Sequence, residues 1–507
     1  MRYVRTLIDM LGLHYRGHSF LQWLGSGAGD DATEEQKLWF GLFAMGFIMQ
    51  FRDLNAYHTS YGADEGLDRQ RRALSAHAAE DMTHSRLFVM DSGTLGWARL
   101  TGWRPSQVLH WLFTNPATEP DRARTARLNR LLINASDPVI RFSVVEAVET
   151  SGNACFTQAV VPARQFAAAS GRELMYWGDY HLERESGHAA GEDESAFDDV
   201  ALTESQRVAA TYAVTEVFQL FEEQNDDFFR LTQQAISCGG LDYLAGLPVE
   251  APPHDDMGAA AVERLLTPGA PHPAQREILD CLTGACSALS ASARVLLHSS
   301  RDGPDTGTAR LRTGLLLSVL DDLAWPTYVR HVLPYGTSAH TAERAVNRLA
   351  ARLGAVTPCH ETDWAALDLD EHVPHPLERT LEFLYLDEVT EPSRDMRAVV
   401  TAQLASRSTP LQRYWTVVAL HALTNLRRKT LAELARVSVP GLLESLPYLR
   451  GAAGRRIPSM APDPRADAVR FAALPADSST VTSVCAAVSA IAETVERSLR
   501  IIAEVRP

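Results

Sequence analysis

Two stretches of this chain share the spacing His-x3-acid-x2-His, which constrains the fold more than any other feature. One runs from His77 to His84, and the other runs from His181 to His188. On an α-helix, positions i, i+4 and i+7 lie along one face, so each stretch would aim two imidazoles and a carboxylate in one direction. Such a face is costly to bury unless something compensates it. A metal ion compensates it directly, and two such faces meeting in one core could hold two metal ions.

The second stretch places His181, Glu185 and His188 on one helix face. Its Glu-x2-His unit matches the carboxylate and histidine spacing found on paired helices of di-iron carboxylate bundles. Two neutral imidazoles and one carboxylate suit iron(II) or manganese(II) better than a structural zinc site. The competing interpretation is an ordinary solvated helix face.

The first stretch repeats this spacing with His77, Asp81 and His84, and apolar neighbours indicate that this face turns inward. Glu80, four residues before His84, is also within reach of the same face. Spacing alone leaves open whether Glu80 or Asp81 would bind a metal ion. We expect His77 to lie beside the ligands, either as a partner that fixes an imidazole tautomer or as a cap.

An apolar segment between the two stretches contains Glu146 and Glu149. A carboxylate among valines must recover roughly several kcal/mol through pairing or coordination. We expect one of the two to bridge a pair of metal ions. The other could instead form a salt bridge to Arg141 or Arg164.

Nearly every periodic segment predicts a helix and alternating strand patterns are scarce, so the predicted fold class is all-α. Proline-rich, weakly periodic sequence predicts a linker over 246–273, between domains at 1–245 and 274–507. The second half could be a degenerate copy of the first, a dimerisation domain or a cover for the site. Helices in the first half are predicted after an N-cap at Thr33, over about 67 to 91, from Pro138, over 154–170, over 172–189 and from Thr203 to about Ile236.

The formal net charge of −15 argues against nucleic acid or an anionic membrane as the main partner. No uninterrupted apolar stretch reaches the length that a bilayer span requires, and the N-terminal residues do not resemble a signal core. Six cysteines in 507 residues, none in a Cys-x-x-Cys pair, indicate free thiols. We therefore expect a cytoplasmic protein, with a homodimer as one possible assembly.

The order of these motifs resembles the haem-oxygenase-like di-iron oxidase and oxygenase family over roughly residues 35–240. The interval from Glu149 to His181 looks like that family's spacing and favours Glu149 over Glu146. The resemblance implies a haem-oxygenase-like helical bundle at 1–245. Two positions depart from the family pattern, since Glu185 stands where Asp is usual and His77 where Glu is frequent. The implied ligand set is Glu80 or Asp81, His84, Glu149, His181, Glu185 and His188.

The resemblance also implies two Fe(II) ions, O2 as co-substrate and oxidation of an unactivated C–H bond, with an external electron donor as a possible partner. The chain is similar to the branch that makes unusual amino acids for peptidyl-nucleoside (polyoxin-type) antibiotics, where oxidation of a small aliphatic L-amino acid closes an azetidine ring. Tyr176 and Trp177 could shape a pocket for such a substrate. The candidate cations for its carboxylate are Arg141, Arg164 and Arg184.

Two other functions stay open at this point. A haem oxygenase or haem-binding protein on the same scaffold would need one proximal histidine, which leaves the paired acids unexplained. A non-catalytic helical binding protein with degenerate metal motifs would need none of these residues for chemistry.

Overall fold

The computed structural model describes residues 1–26, 32–61, 67–188, 194–240, 276–299, 304–327, 369–405, 409–439 and 477–506. These residues form helices joined by turns, and there is no β-strand among them. The predicted all-α class is therefore confirmed. The predicted linker at 246–273 lies outside the described residues.

The chain divides into two compact units. The first comprises Met1–Pro248 and His375–Tyr385, and the second comprises Val249–Pro374 and Leu386–Pro507. The segment at 375–385 thus groups with the first unit, although the sequence places it well inside the second half. It contains most of a helix, Leu377–Leu386, whose Leu377, Leu381 and Leu384 are buried.

The N-terminal part of the first unit carries the helices that position the candidate site. They are α1 (Arg2–Tyr15), α2 (Ser19–Gly25), α3 (Glu34–Lys37), α4 (Phe40–Leu54), α5 (Arg69–Asp81), α6 (His84–Thr94), α7 (Trp97–Thr101), α8 (Pro105–Phe113), α9 (Glu119–Asn134), α10 (Pro138–Ser170), α11 (Asp179–His188) and α12 (Glu204–Ser237). A π-helical turn at Asn55–Thr59 follows α4, and short 3-10 turns lie at Pro116–Thr118 and Glu194–Ala196.

The two longest helices of this unit, α10 and α12, begin where the sequence predicts. The Asp137 carboxylate accepts the amide of Val139, and Pro138 occupies the first turn of α10. Thr203 and Gln206 form a reciprocal capping box at the start of α12. However, α10 continues without a break to Ser170, so the separate helix predicted at 154–170 is wrong. Burial of α10 against α1, α2 and α12 outweighs the weak local helix propensity of residues 150–153.

The helix predicted over about 67 to 91 is divided in two at Met82 and Thr83. The Met82 amide still donates to the carbonyl of Ala78, at 3.1 Å, whereas the Thr83 amide donates to Glu80, three residues back, at 3.0 Å. The Thr83 hydroxyl also donates to the Glu80 carbonyl, at 2.8 Å, which stabilises this tighter turn. Despite the turn, side chains on the end of α5 and the start of α6 remain neighbours.

The π-helical turn after α4 is fixed by Arg141. Its guanidinium donates to the carbonyls of Thr59 and Ser60, both at 3.3 Å, and to that of Ala135, at 3.1 Å. The same group lies 4.1 Å from the centre of the Tyr61 ring. These contacts satisfy carbonyls at the end of the π-helical turn, where helical bonding stops.

The buried His58 in this turn gives the fold a pH dependence. Desolvation, assisted by Arg141, lowers the pKa of His58 from 6.5 to about 4. His58 is therefore protonated near pH 6.5 in the unfolded chain but only near pH 4 in the folded chain. Protonation of the unfolded chain lowers the free energy of unfolding, so the full stability is present above pH 6.5 and part of it is lost as the pH falls. Between pH 7 and pH 5 the free energy of unfolding of the parent should therefore fall by about 2 kcal/mol more than that of His58→Gln.

The measurement is the free energy of unfolding in urea at several pH values, compared between parent and variant. His14→Gln is the matched control, because the His14 side chain is 82% exposed. A parent-minus-variant difference that does not change with pH would contradict the assignment.

The second unit is also helical in its described part. Its helices are Arg276–Ser299, Pro304–Thr327, Leu369–His372, Glu391–Ala405, Pro410–Ser438 and Ser478–Glu504. The last is long and apolar enough, by length and composition only, to cross a membrane. Nevertheless, it packs against Arg276–Ser299 and Pro410–Ser438 and buries a stripe that includes Val484, Ile491 and Val495. Such a stripe is typical of a core helix, so membrane crossing has weak support.

Candidate metal centre

A cavity in the first unit has polar residues on one side and aromatic residues around the rest. It contains about 800 Å³ of space, part of it open to solvent, between α1, α4, α5, α6, α10, α11 and α12. The aromatic part of the wall includes Phe40, Phe47, Phe51, Phe156, Phe221 and Phe228. The polar part contains residues from both His-x3-acid-x2-His stretches, so the cavity is the candidate functional site.

His77 and Asp81 of α5 meet Glu149 of α10 at the polar side. His77 Nε2 lies 3.3 Å from Glu149 Oε1 and 3.6 Å from Asp81 Oδ2. One donor atom from each residue lies within 4.8 Å of the other two, so the three could hold a metal ion. One imidazole nitrogen and two carboxylate oxygens form a donor set that suits divalent first-row metals.

His84 and His181 extend this group on the other side of Asp81. His84 Nδ1 lies 3.3 Å from Asp81 Oδ1, and the His84 and His181 rings are 4.4 Å apart, edge to face. Both histidines are buried. We name the five residues the carboxylate–histidine cluster; its members are His77, Asp81, His84, Glu149 and His181. The predicted convergence of the motif segments is therefore seen for the residues whose side chains are described.

The orientation of Asp81 is set by the π-helical turn. Asn55, in that turn, donates its side-chain amide to Asp81 Oδ2 at 3.2 Å, and both residues are buried. A hydrogen bond of this kind holds a carboxylate in one rotamer. The π-helical turn thus contributes directly to the cluster, as such turns often do at functional sites.

The orientation of His181 is set by the segment that precedes α11. The Tyr176 carbonyl can only accept, so His181 Nδ1 donates to it, at 3.0 Å. The His181 ring stacks on the Tyr176 ring at 4.6 Å and meets the edge of Phe156 at 4.3 Å. An imidazole that donates from Nδ1 presents Nε2 as its ligand atom. His181 is thus held in the tautomer that a metal ion requires.

Asp91, on α6, holds that segment and was missed by the sequence reasoning. Its carboxylate accepts the backbone amides of Met175, Tyr176 and Trp177 at 2.6, 2.9 and 3.0 Å. Burial raises the pKa of Asp91 to about 6, although the three amide bonds act in the opposite direction. The signal that could have revealed it is a carboxylate next to buried apolar residues, the same signal that pointed to Glu149.

Glu80 and Asp81, between which the sequence leaves a choice, have different surroundings. The Glu80 side chain is 47% exposed and accepts from Arg184 at 3.3 Å, whereas the Asp81 side chain is 1% exposed. Glu80 therefore lies outside the cluster and Asp81 within it. A carboxylate as buried as that of Asp81 needs compensation that Glu80 does not need.

His77 and Glu146 are both partly exposed, but His77 belongs to the group that could hold a metal ion and Glu146 does not. His77, expected only beside the ligands, contributes one of the closest donor atoms of the cluster. Glu146 is partly exposed on α10 and does not line the cavity. The preference for Glu149 over Glu146 that the family resemblance implied agrees with this placement. The side chains of Glu185 and His188 lie outside the described residues.

The three arginines predicted to bind a substrate carboxylate are placed elsewhere. Arg141 holds backbone carbonyls near the π-helical turn, Arg164 forms a two-point ion pair with the exposed Asp179, and Arg184 pairs with Glu80. None of the three lines the cavity.

Tyr176 and Trp177, which the sequence analysis names as pocket aromatics, both line the cavity. A different arginine, Arg52 of α4, also lines it and was missed by the sequence reasoning. No local motif marks Arg52, so only the packing of α4 against the cavity reveals it.

No protein-family model matches this sequence, and no curated protein is significantly similar to it. The function of this chain is therefore inferred from the geometry of the cluster and from the chemistry of its residues.

Proposed function

We propose that the first unit is a non-haem di-iron oxidase of the haem-oxygenase-like type, which uses O2 to oxidise an unactivated C–H bond of an aliphatic substrate. The observation that carries the proposal is the convergence of five residues from four helices. Asp81, His84, Glu149 and His181 line one side of an aromatic cavity, and His77 contacts Asp81 and Glu149. Burying so many ionisable groups together is costly without a cation among them.

The donor set fits iron better than a soft-metal or thiolate site. It consists of imidazoles and carboxylates, which suit Fe(II) and Mn(II). Cys155 also lines the cavity, and burial raises the pKa of its thiol to about 12 in the metal-free chain. The group whose donor atoms lie close together consists of nitrogen and oxygen donors, from His77, Asp81 and Glu149.

Asp81 is arranged to serve two metal positions. Its Oδ2 faces His77, at 3.6 Å, and its Oδ1 faces His84, at 3.3 Å. His77 and Glu149 lie on one side of the carboxylate, and His84 and His181 lie on the other. A carboxylate with one imidazole near each oxygen supports a pair of adjacent ions rather than one.

When bound, ferrous iron supplies the electrons that reduce O2 and makes the oxidant that removes hydrogen from carbon. The residues of this chain bind and orient. The Tyr176 carbonyl, on the segment bound by Asp91, holds His181, Asn55 holds Asp81, and the aromatic wall offers apolar surface to an aliphatic substrate. The oxidation of a small aliphatic amino acid, including its closure to an azetidine, belongs to this reaction class.

The test is an anaerobic titration of the full chain with Fe(II), followed by exposure to O2 with a panel of aliphatic L-amino acids. We expect two Fe(II) ions per chain, an optical change that depends on O2, and a product that has lost hydrogen or gained oxygen by mass spectrometry. Absence of bound iron would overturn the proposal. Stoichiometric haem binding with a Soret band, in place of iron binding, would favour the haem-protein alternative.

A further inference from the structure

We propose that Arg52 binds the carboxylate of the substrate, so that the cavity takes an aliphatic carboxylic acid whose chain lies against the aromatic wall. This inference rests on the proposed function, because it concerns the same cavity. Among the described residues that line the cavity, Arg52 is the only arginine or lysine. A guanidinium remains charged at all relevant pH values and matches a carboxylate with two parallel N–H donors.

The contacts of Arg52 are compatible with this role. Its side chain is 27% exposed, and it forms an ion pair with Asp53 through a single contact, from Nη1 to Oδ1, at the long distance of 3.5 Å. An interaction of that length is weak, whereas a bidentate pair with a carboxylate is among the stronger ones. A substrate carboxylate would therefore bind Arg52 more favourably than its neighbour does.

The position of Arg52 places such a carboxylate near the carboxylate–histidine cluster. Arg52 stands three residues before Asn55, which donates to Asp81, and beside the wall residues Ile48 and Phe51. Residues three apart on a helix share a face. The substrate carboxylate would thus lie on the face of α4 that continues to Asn55 and its bond to Asp81, with the apolar side chains of Ile48 and Phe51 next to it.

The other polar side chains in the wall are engaged with the protein. The Gln224 amide donates to Asp121 at 2.8 Å, and the Asn225 amide donates to Tyr15 at 2.8 Å. The acids in the wall are Asp81 and Glu149, both members of the cluster. An α-ammonium group therefore has no acid in the described wall apart from the candidate metal ligands, and the carboxylate is the group that fixes the ligand's orientation.

The test is calorimetric titration of the full chain, with and without Fe(II), using hexanoate, L-norleucine and 1-hexanol. Hexanoate and L-norleucine separate an unsubstituted acid from an amino acid, and 1-hexanol keeps an apolar chain without the charge. We expect Arg52→Gln to weaken binding of the carboxylate ligands by about 10- to 100-fold, the range for hydrogen bonds to charged groups. Binding of 1-hexanol should not change.

Two further variants make the result specific. Arg52→Lys keeps the charge but loses the two-point fork, so it should recover only part of the affinity. Arg164→Gln is the matched control, since Arg164 is an exposed arginine outside the cavity. Equal losses for hexanoate and 1-hexanol, no loss in Arg52→Gln, or no binding of either acid by the parent would each overturn the inference.

The iron measurement separates this inference from the proposed function. If the parent and Arg52→Gln both bind two Fe(II) ions and bind hexanoate and L-norleucine with equal affinity, the proposed function stands and the carboxylate site is rejected. If the chain binds no Fe(II) but its affinity for either acid depends on Arg52, the carboxylate site stands and the proposed function is rejected.

Discussion

Asp81→Asn is expected to lower the affinity of the chain for Fe(II) by at least about 100-fold. Replacing a residue that merely orients a ligand already costs about 10- to 100-fold in metal affinity, and Asp81 is a candidate ligand itself. The substitution keeps the size of the side chain and its contact with Asn55, but it removes the charge that faces both His77 and His84. The measurement is an anaerobic Fe(II) titration with a competing chelator.

Glu80→Gln provides the matched control for this experiment. It removes one carboxylate from the adjacent residue of the same helix, but Glu80 is half-exposed and paired with Arg184. Its Fe(II) affinity should equal that of the parent, and Glu149→Gln should resemble Asp81→Asn. Equal losses of Fe(II) affinity in Glu80→Gln and Asp81→Asn would show a general effect of charge. Unchanged Fe(II) affinity in Asp81→Asn and Glu149→Gln would show that the cluster does not bind the metal ions.

The fold class could be predicted because it follows from local patterns, whereas the expected meeting of the motif segments rested on the family resemblance. Helical periodicity is repeated over many turns, and the caps at Asp137 and Thr203 are formed by residues close in sequence. The motif spacing reports a helix face, which survives even the turn at Met82. This spacing places Asp81, His84 and His181 among the predicted site residues, whereas the choice of Glu149 over Glu146 came from the family resemblance.

The parts that could not be predicted depend on contacts between distant segments. Glu80 and Asp81 are equally able to share a face with His84, and it is Arg184, more than a hundred residues further along the chain, that pairs with Glu80. The role of Asp91 depends on amides 84 to 86 residues away. Arg52 carries no local motif at all. In each case spacing limits which residues can meet, and tertiary packing decides which of them do.

Hydrogen bonds from residues outside the cluster orient its side chains. Asn55 donates directly to Asp81, and Asp91 holds the segment whose Tyr176 carbonyl accepts from His181. Such contacts fix ligand orientation before a metal ion arrives, which reduces the ordering required on binding.

Asp91→Ala is expected to lower the free energy of unfolding by about 3 kcal/mol or more. The substitution removes the acceptor of the buried amides of Tyr176 and Trp177 and of the part-buried amide of Met175, and each buried donor left unsatisfied costs about 1–3 kcal/mol. Ser92→Ala is the matched control, because Ser92 is the next residue, is equally buried and bonds only within its own helix, to Val89 at 2.7 Å. Urea unfolding followed by circular dichroism measures both variants.

A milder substitution, Asp91→Asn, tests whether Asp91 acts on metal binding through His181. Its side-chain oxygen can still accept amide bonds, so the fold should persist while the Tyr176 carbonyl and His181 lose part of their restraint. We expect Fe(II) affinity to fall about 10- to 100-fold. In a His181→Ala background the same substitution should have little further effect, because the residue it positions is gone. Losses that simply add in the double variant would show that Asp91 and His181 act independently and would contradict the positioning role.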